Sequence, residues 1–325
     1  MRIVSLLPSA TESLAIAGGA DMLVGRSHEC DFPSGLEHLP VLTAPRAAYD
    51  PAVGMDAAAV DDRVTAATAS NESLYELDID RLRDLRPDLI LTQDLCEVCS
   101  IDLGTVRRVA ESLDRRPEIV SLNPTTIEGV LDDVLAVGRA AGLEERSRLA
   151  VVDLRGRLFR AQEFVNQFAD GPVVGFMEWT DPIYCAGHWT VQMIERAGGR
   201  HPWNEAVPVE DSGAAAGPMQ AERIAGKSIR VPPELFAAAG PERLVISPCG
   251  LNLNQTREAV AKIADRDWFQ QLPAVRSGRV ALVDGNQMFN RPGPRLVEAF
   301  EWLVSWIQDR PQLCPEGFPW EPWEG

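Results

Sequence analysis

The chain has 325 residues, 45% hydrophobic and 24% charged, and a net charge of -17. That length can bury two ordinary cores, while the acidity excludes nucleic acid and disfavours an anionic membrane surface, since both need a basic face. Solubility is the simplest role for the excess carboxylates.

No apolar run approaches the roughly 18 residues that span a bilayer. Met1-Arg2-Ile3-Val4-Ser5-Leu6 enters a core strand with no basic region, apolar region and cleavage site ahead of it. The expected location is therefore cytoplasmic, or periplasmic or lipid-anchored where a signal has been removed. Cys30, Cys96, Cys99, Cys185, Cys249 and Cys314 read as free thiols of a reducing compartment.

In chain order, residues 2–6 read as a buried strand broken by Pro8, and Ser9-Ala10-Thr11-Glu12 as a capping box opening a helix that Gly18-Gly19 closes. Strands are expected at 23–27 and 41–42, and an added Ala- and Asp-rich helix within 43–73. A helix at 80–85, a strand at 88–92, a helix at 105–113 and a strand at 118–122 complete a βαβ rhythm, the pattern of a parallel sheet. Thr125-Thr126-Ile127-Glu128 is a second capping box. The apolar spacing of Ile127, Val130, Leu131, Val134 and Ala141 predicts a helix ended by Gly142. The stripe Val151, Leu154, Leu158, Ala161, Val165 and Phe168 predicts another, stopped by Asp170-Gly171-Pro172. At 1.5 Å per residue it would be roughly 35 Å long, a beam able to cross a domain.

Beyond it the rhythm resumes. Strands are expected at 173–177, 243–247 and 279–283, and helices at 191–197, 233–238, 255–264 and 295–308. Residues 210–217 read as a linker or flap, and the tail from Pro311, with Trp320 and Trp323, as irregular. The architecture predicted is α/β. Two Rossmann-like parallel-sheet lobes, residues 1–124 and 171–325, are joined by connecting helices over 125–170, with a ligand cleft between them. Ligands of such sheets collect beyond the carboxyl ends of the strands. The loops there, at 8–12, 28–33, 93–99, 179–189, 248–252 and 286–291, hold an unusual share of the aromatic, His and Cys residues.

Several stretches carry a family resemblance. The run from Arg2 to Glu12 looks like an opening strand with a Pro-x-x-Thr-Glu helix start, and residues 27–33 resemble a Ser-x-x-x-Asp-aromatic-Pro loop. Residues 82–90 are similar to Leu-x-x-Leu-x-Pro-Asp-Leu-Ile, Asp181-Pro182-Ile183-Tyr184 to a Pro-x-aromatic cleft loop, and 289–295 to aromatic-x-Arg-x-x-Pro-Arg. Together they resemble the cobalamin and metal-complex binding proteins of the helical-backbone, class III, periplasmic type. The likeness covers nearly the whole chain except 43–73 and the tail.

The resemblance implies a binding protein without chemistry of its own, closing two lobes on cobalamin or a related corrinoid for uptake, delivery or storage. A corrin is a broad, partly apolar disc rimmed with amides, so aromatic walls and polar edge groups suit it. By position the walls are Phe32, Trp179, Tyr184, Trp189 and Phe289, with Tyr75 in the same set, and Asn252, Asn290 and Arg291 reach amides or a phosphate. His28 and His188, one per lobe, are candidate axial ligands. Cys96 and Cys99 could clip a metal ion, with His28 and Cys30 completing a set, or they could be buried, unreactive thiols lining the pocket. The alternative guests are haem, an iron chelate or that bare metal ion. Transport members dock on an ABC permease through one acidic residue per lobe, and Asp80 and Glu234 occupy the matching positions. The protein is expected to be monomeric. An enzyme on the same scaffold is least favoured, because no Ser-His-Asp set, phosphate loop or dinucleotide fingerprint is present.

Overall fold

The computed structural model describes residues 1–46, 57–70, 74–94, 101, 103–166, 168, 170–209 and 223–325, with side chains 67–70 excepted. The predicted flap at 210–217, the Cys96–Cys99 loop and much of the 43–73 segment lie outside the described residues.

The first lobe is built on a parallel sheet of β1 (Ile3–Ser5), β2 (Leu23–Arg26), β5 (Leu89–Gln93) and β6 (Glu118–Leu122), in the order β2-β1-β5-β6. Its buried face packs on α1 (Pro8–Ile16). The predicted capping box is not what starts α1. Pro8 takes the first helical position with Leu7 as N-cap, because its fixed φ is already helical and its missing amide would be orphaned there anyway. Ser9 and Thr11 thereby fall inside the helix, where Thr11 Oγ1 donates back to Leu7 O, and Glu12 is carried into the interior at 2% exposure.

The expected strand at 41–42 shrinks to a single bridge between Arg26 and Val41. Instead β3 (Thr43–Pro45) pairs antiparallel with β4 (Tyr75–Leu77), and the chain between them includes α2 (Ala57–Ser70). Helices α3 (Ile79–Leu85) and α4 (Leu103–Glu111) cover the other face.

Two helices leave the lobe. In α5 (Ile127–Ala140) the cap falls one residue later than the box predicts: Thr126, not Thr125, caps the Gly129 amide at 2.9 Å, and Glu128 turns outward to Arg155 and Arg196. Gly142, at φ 72°, supplies the left-handed turn into α6 (Glu144–Gln162). That helix has 19 residues, about 28 Å, not the length predicted. It ends at Gln162, short of Phe168, whose side chain is fully exposed. Both helices straddle the lobes. Ile127, Val130, Leu131 and Val134 belong to the second core, while Val137 and Ala141 belong to the first. Arg146 of α6 reaches Gly18 O on the first lobe, and Arg157 forms a bidentate pair with Glu301 on the second, at 2.9 and 2.6 Å.

The second sheet runs β11 (Ile229–Arg230), β8 (Ile183–Cys185), β7 (Val174–Thr180), β12 (Arg243–Ile246), β13 (Val280–Val283), β14 (Trp320–Pro322). Only β7, β12 and β13 are parallel, so this lobe is mixed rather than purely parallel. The tail is not irregular throughout. Phe318 stacks on fully buried Trp302 and Trp320 meets the same ring edge-on, and this packing draws the chain into β14. Around the sheet lie α7 (His188–Arg196), α8 (Pro233–Ala238), α9 (Leu253–Ala261), α10 (Asp267–Gln270), α11 (Pro273–Arg276) and α12 (Leu296–Ile307). A small ribbon pairs β9 (Val207–Pro208) with β10 (Arg223–Ile224).

The two linking helices touch closely at Gly138, where a Cβ would lie 2.2 Å from Ser147 Oγ. Gly138→Ala is expected to cost about 1–3 kcal/mol through this overlap, more than the helix propensity it gains. Chemical denaturation of G138A and of G138A with Ser147→Gly checks it: the second change should recover most of the loss.

Candidate functional site

The lobes meet where the loop between β13 and α12 reaches the first lobe. Asn290 shapes that loop by donating to Ser247 O and Gly285 O, at 3.0 and 2.9 Å. Phe289 occupies the left-handed region at φ 61°, a costly conformation for a bulky residue. Its fully buried ring is wedged against Phe176 and Trp302, and its carbonyl accepts from Trp189 Nε1 at 2.6 Å. Phe289 and Trp189, expected as cleft walls, are core residues here. Their apolar surface is spent holding the loop.

The loop thereby delivers Arg291 across the junction. Its guanidinium donates to both Asp31 oxygens, at 2.5 and 3.2 Å, to Glu29 O at 3.3 Å and to Asn286 Oδ1 at 3.2 Å, and stands 3.8 Å from Glu12. Arg291 is expected from sequence; its partners Asp31 and Glu12 are not. Arg295 follows one turn later with its guanidinium 4.5 Å from the centre of the Phe32 ring, a cation–π contact. Between them Gly293 comes so close that a Cβ would sit 2.9 Å from Glu12 Oε2 and 3.2 Å from Ser9 Cα. Neither Glu12 oxygen has a hydrogen-bond partner, and burial pushes the carboxyl up to about 7 against the pull of Arg291 and Arg295.

Beside this cluster, Tyr75 Oη donates to Glu29 Oε1 at 3.5 Å, and burial raises the Glu29 carboxyl. His28 Nδ1 lies 2.7 Å from Thr43 Oγ1, and its ring is 5.4 Å from that of Tyr75. Leu6, Ser27, His28, Glu29, Thr43, Tyr75 and Ile101 line a cavity of about 10 Å³, room for a single water at most. Cys30 is buried with Sγ 3.0 Å from Thr11 Oγ1.

A second crossing lies along α2. Trp179 Nε1 donates to Ala57 O at 3.0 Å, and Tyr184, whose phenol burial raises, bonds to Asp61. Here an open groove of about 410 Å³ is lined by Ala57, Thr180, Asp181, Ala259, Lys262 and Arg266. A β-bulge between Met177 and Trp179 turns Glu178 to the Gly187 amide at 3.2 Å and to Ser228 Oγ, and burial raises its carboxyl to about 7.

The remaining expected residues are scattered. Asn252 is exposed and spends its side chain capping α9. His188 begins α7 at φ 47°, stacks on Trp189, and has its contacts within the second lobe; burial and Lys227 depress its ionisation. It is not drawn to His28. Cys96 and Cys99 lie outside the described residues. Among the described residues no three His, Cys, Asp or Glu side chains gather as a metal site. Asp80 and Glu234 are exposed, one on each lobe.

Carboxylates, one committed arginine and aromatic surfaces across a junction of two strand-end rims define a two-lobed solute-binding architecture. The chain belongs to the periplasmic binding protein family, whose profile matches residues 3–286. No curated protein matches the sequence. Solved structures share the fold. A periplasmic haem-binding protein of Pseudomonas aeruginosa superposes with a TM-score of 0.67 at 20% identity, covering 95% of this chain and 93% of its own. A periplasmic haem-binding protein of Roseiflexus in its apo form gives 0.66 at 20%, with 95% and 98% covered. The periplasmic vitamin B12 binding protein of Vibrio cholerae gives 0.64 at 19%, with 95% and 96% covered. The expectation of a cytoplasmic location finds no support in a family described as periplasmic. Among the described residues no helix is long and apolar enough to cross a membrane.

The Glu12 carboxyl titrates higher in the fold than in the unfolded chain. Its protonated form therefore adds stability that is complete below the ordinary carboxyl value of 4.5 and is lost as pH rises through about 7. The melting temperature should fall between pH 5 and 8, and Glu12→Gln should flatten that fall. An equally steep profile in E12Q would assign the dependence to another group.

Proposed function

We propose that the chain is the substrate-binding protein of an ABC importer and that its cargo is a corrinoid held between the lobes. The observation that carries this reading is the charge at the junction. Glu12, Glu29 and Asp31 surround Arg291, which is already committed to Asp31, while Arg295 beside it is stacked on Phe32. A guest bearing carboxylates finds no uncommitted cation there and would meet repulsion, whereas a rim of uncharged amides meets none. Phe32, Trp179 and Tyr184 supply aromatic faces for the disc. Asp80 and Glu234 would meet the permease, which places the working protein on the outer side of the membrane. An axial imidazole from His28 or His188 belongs to the same proposal.

Haem is the competing guest, favoured by the adjacency of His28 and Tyr75, a donor pair suited to iron. Titration of the purified chain with hydroxocobalamin and, separately, with haem decides between them by visible spectrum. A saturable shift with the corrinoid is expected, weakened about tenfold or more, 1.4 kcal/mol, in Trp179→Ala. In the complex, His28→Ala or His188→Ala should alter the spectrum for whichever ring ligates. Saturable haem binding with no corrinoid response would overturn the reading.

A further inference from the structure

The outward face of α6 is apolar where a soluble helix should be polar. Leu149, Val152 and Phe159 are 63%, 68% and 69% exposed, and with Gly156 they fall at positions i, i+3, i+7 and i+10, a single stripe. The opposite stripe, Val151, Leu154, Leu158 and Ala161, is the one buried in the core, so the exposed residues are not needed for the fold. Phe164 and Phe168 continue the apolar surface beyond the helix end. Contiguous exposed apolar surface of this kind marks a contact site.

From this stripe and the charges beside it we infer that α6 pairs with α6 of a second copy, antiparallel about a two-fold axis passing near Gly156. The charges select this occupant. In a chain of net charge -17, α6 holds five arginines against three carboxylates, so a second copy meets no acidic excess along it. Antiparallel register about Gly156 sets Val152 of each copy on Phe159 of the other. It also brings Arg148 to Glu163 and Arg160 to Asp153 across the axis, each pair occurring twice by symmetry. Arg160 and Glu163 have no ion-pair partner within the described chain, and Arg148 has only an exposed contact with Glu145 at 3.7 Å. Gly156 has no side chain of its own at the crossing; the Arg160 guanidinium, 3.2 Å from where a Cβ would stand, lies over it and has to turn aside to Asp153 of the other copy for the two backbones to cross tightly. This pairing departs from the monomer expected from sequence and is independent of which ligand the cleft takes.

Sedimentation velocity on the full chain over a hundredfold concentration range tests it. A concentration-dependent species of twice the 35.6 kDa chain mass is expected. Phe159→Glu and Val152→Glu should each weaken it at least tenfold without changing the circular dichroism melt. Arg148→Glu and Glu163→Arg should each weaken it singly and restore it together, a rescue that only a self-complementary contact produces. A monomer at every concentration, or a dimer indifferent to both glutamate substitutions, overturns the inference. So does failure of the charge-reversed pair to recover. Binding of the monomer to lipid vesicles through this stripe would assign the face to a membrane instead.

Discussion

The junction depends on how one buried guanidinium is satisfied. Arg291 reaches across from the second lobe to half-exposed Asp31 and into a region that already holds Glu12 and Glu29, and a cation and carboxyls enclosed there must neutralise one another or shed charge. Asp31 takes the hydrogen bonds, and Glu12 stands one ångström too far to share them. The result is an ion pair with a protonatable neighbour. The strained Phe289 backbone, the two carbonyls bound by Asn290 and the side-chain-free approach of Gly293 all follow from bringing that arginine to that place.

This contact acts on a frame that limits what else can move. Because α5 contributes its first turns to one core and its last to the other, and α6 is anchored to Gly18 at one end and Glu301 along its length, neither helix is a free hinge. Relative motion of the lobes has to be absorbed by small displacements along packed helices, the shear type of rearrangement. The crossings at Arg291 and at Trp179 lie away from that frame, where such displacements are largest.

Much of the architecture was legible because it is written in local rules. The β6 strand, the start of α5 to within one residue and Gly142 were readable from residues within four positions of one another. The misreadings have physical causes. Ser9 to Glu12 satisfies the capping pattern, but Pro8 fixes the helix start two residues earlier and sends Glu12 inward. The stripe through Val165 and Phe168 continues the period of α6 beyond the core that could hold it. The tail joined a sheet because Trp302, sixteen residues before Phe318, offered it a stacking face that no local pattern reveals. At the site, loop positions named Arg291, Phe32, Trp179 and His28, while Phe289 and Trp189 were placed on the rim although their rings are core. Whether an aromatic beside a cleft faces inward or outward depends on packing from other elements, which a linear pattern does not encode.

The bond between Arg291 and Asp31 joins positions 260 residues apart. Closing so long a loop carries an entropic cost that only two already compact bodies can reduce. Each lobe should therefore collapse on its own local contacts first, and this cross-connection should be the last to form and the first to open. The same ion pair thus divides folding of this chain into an early phase within the lobes and a late docking step between them.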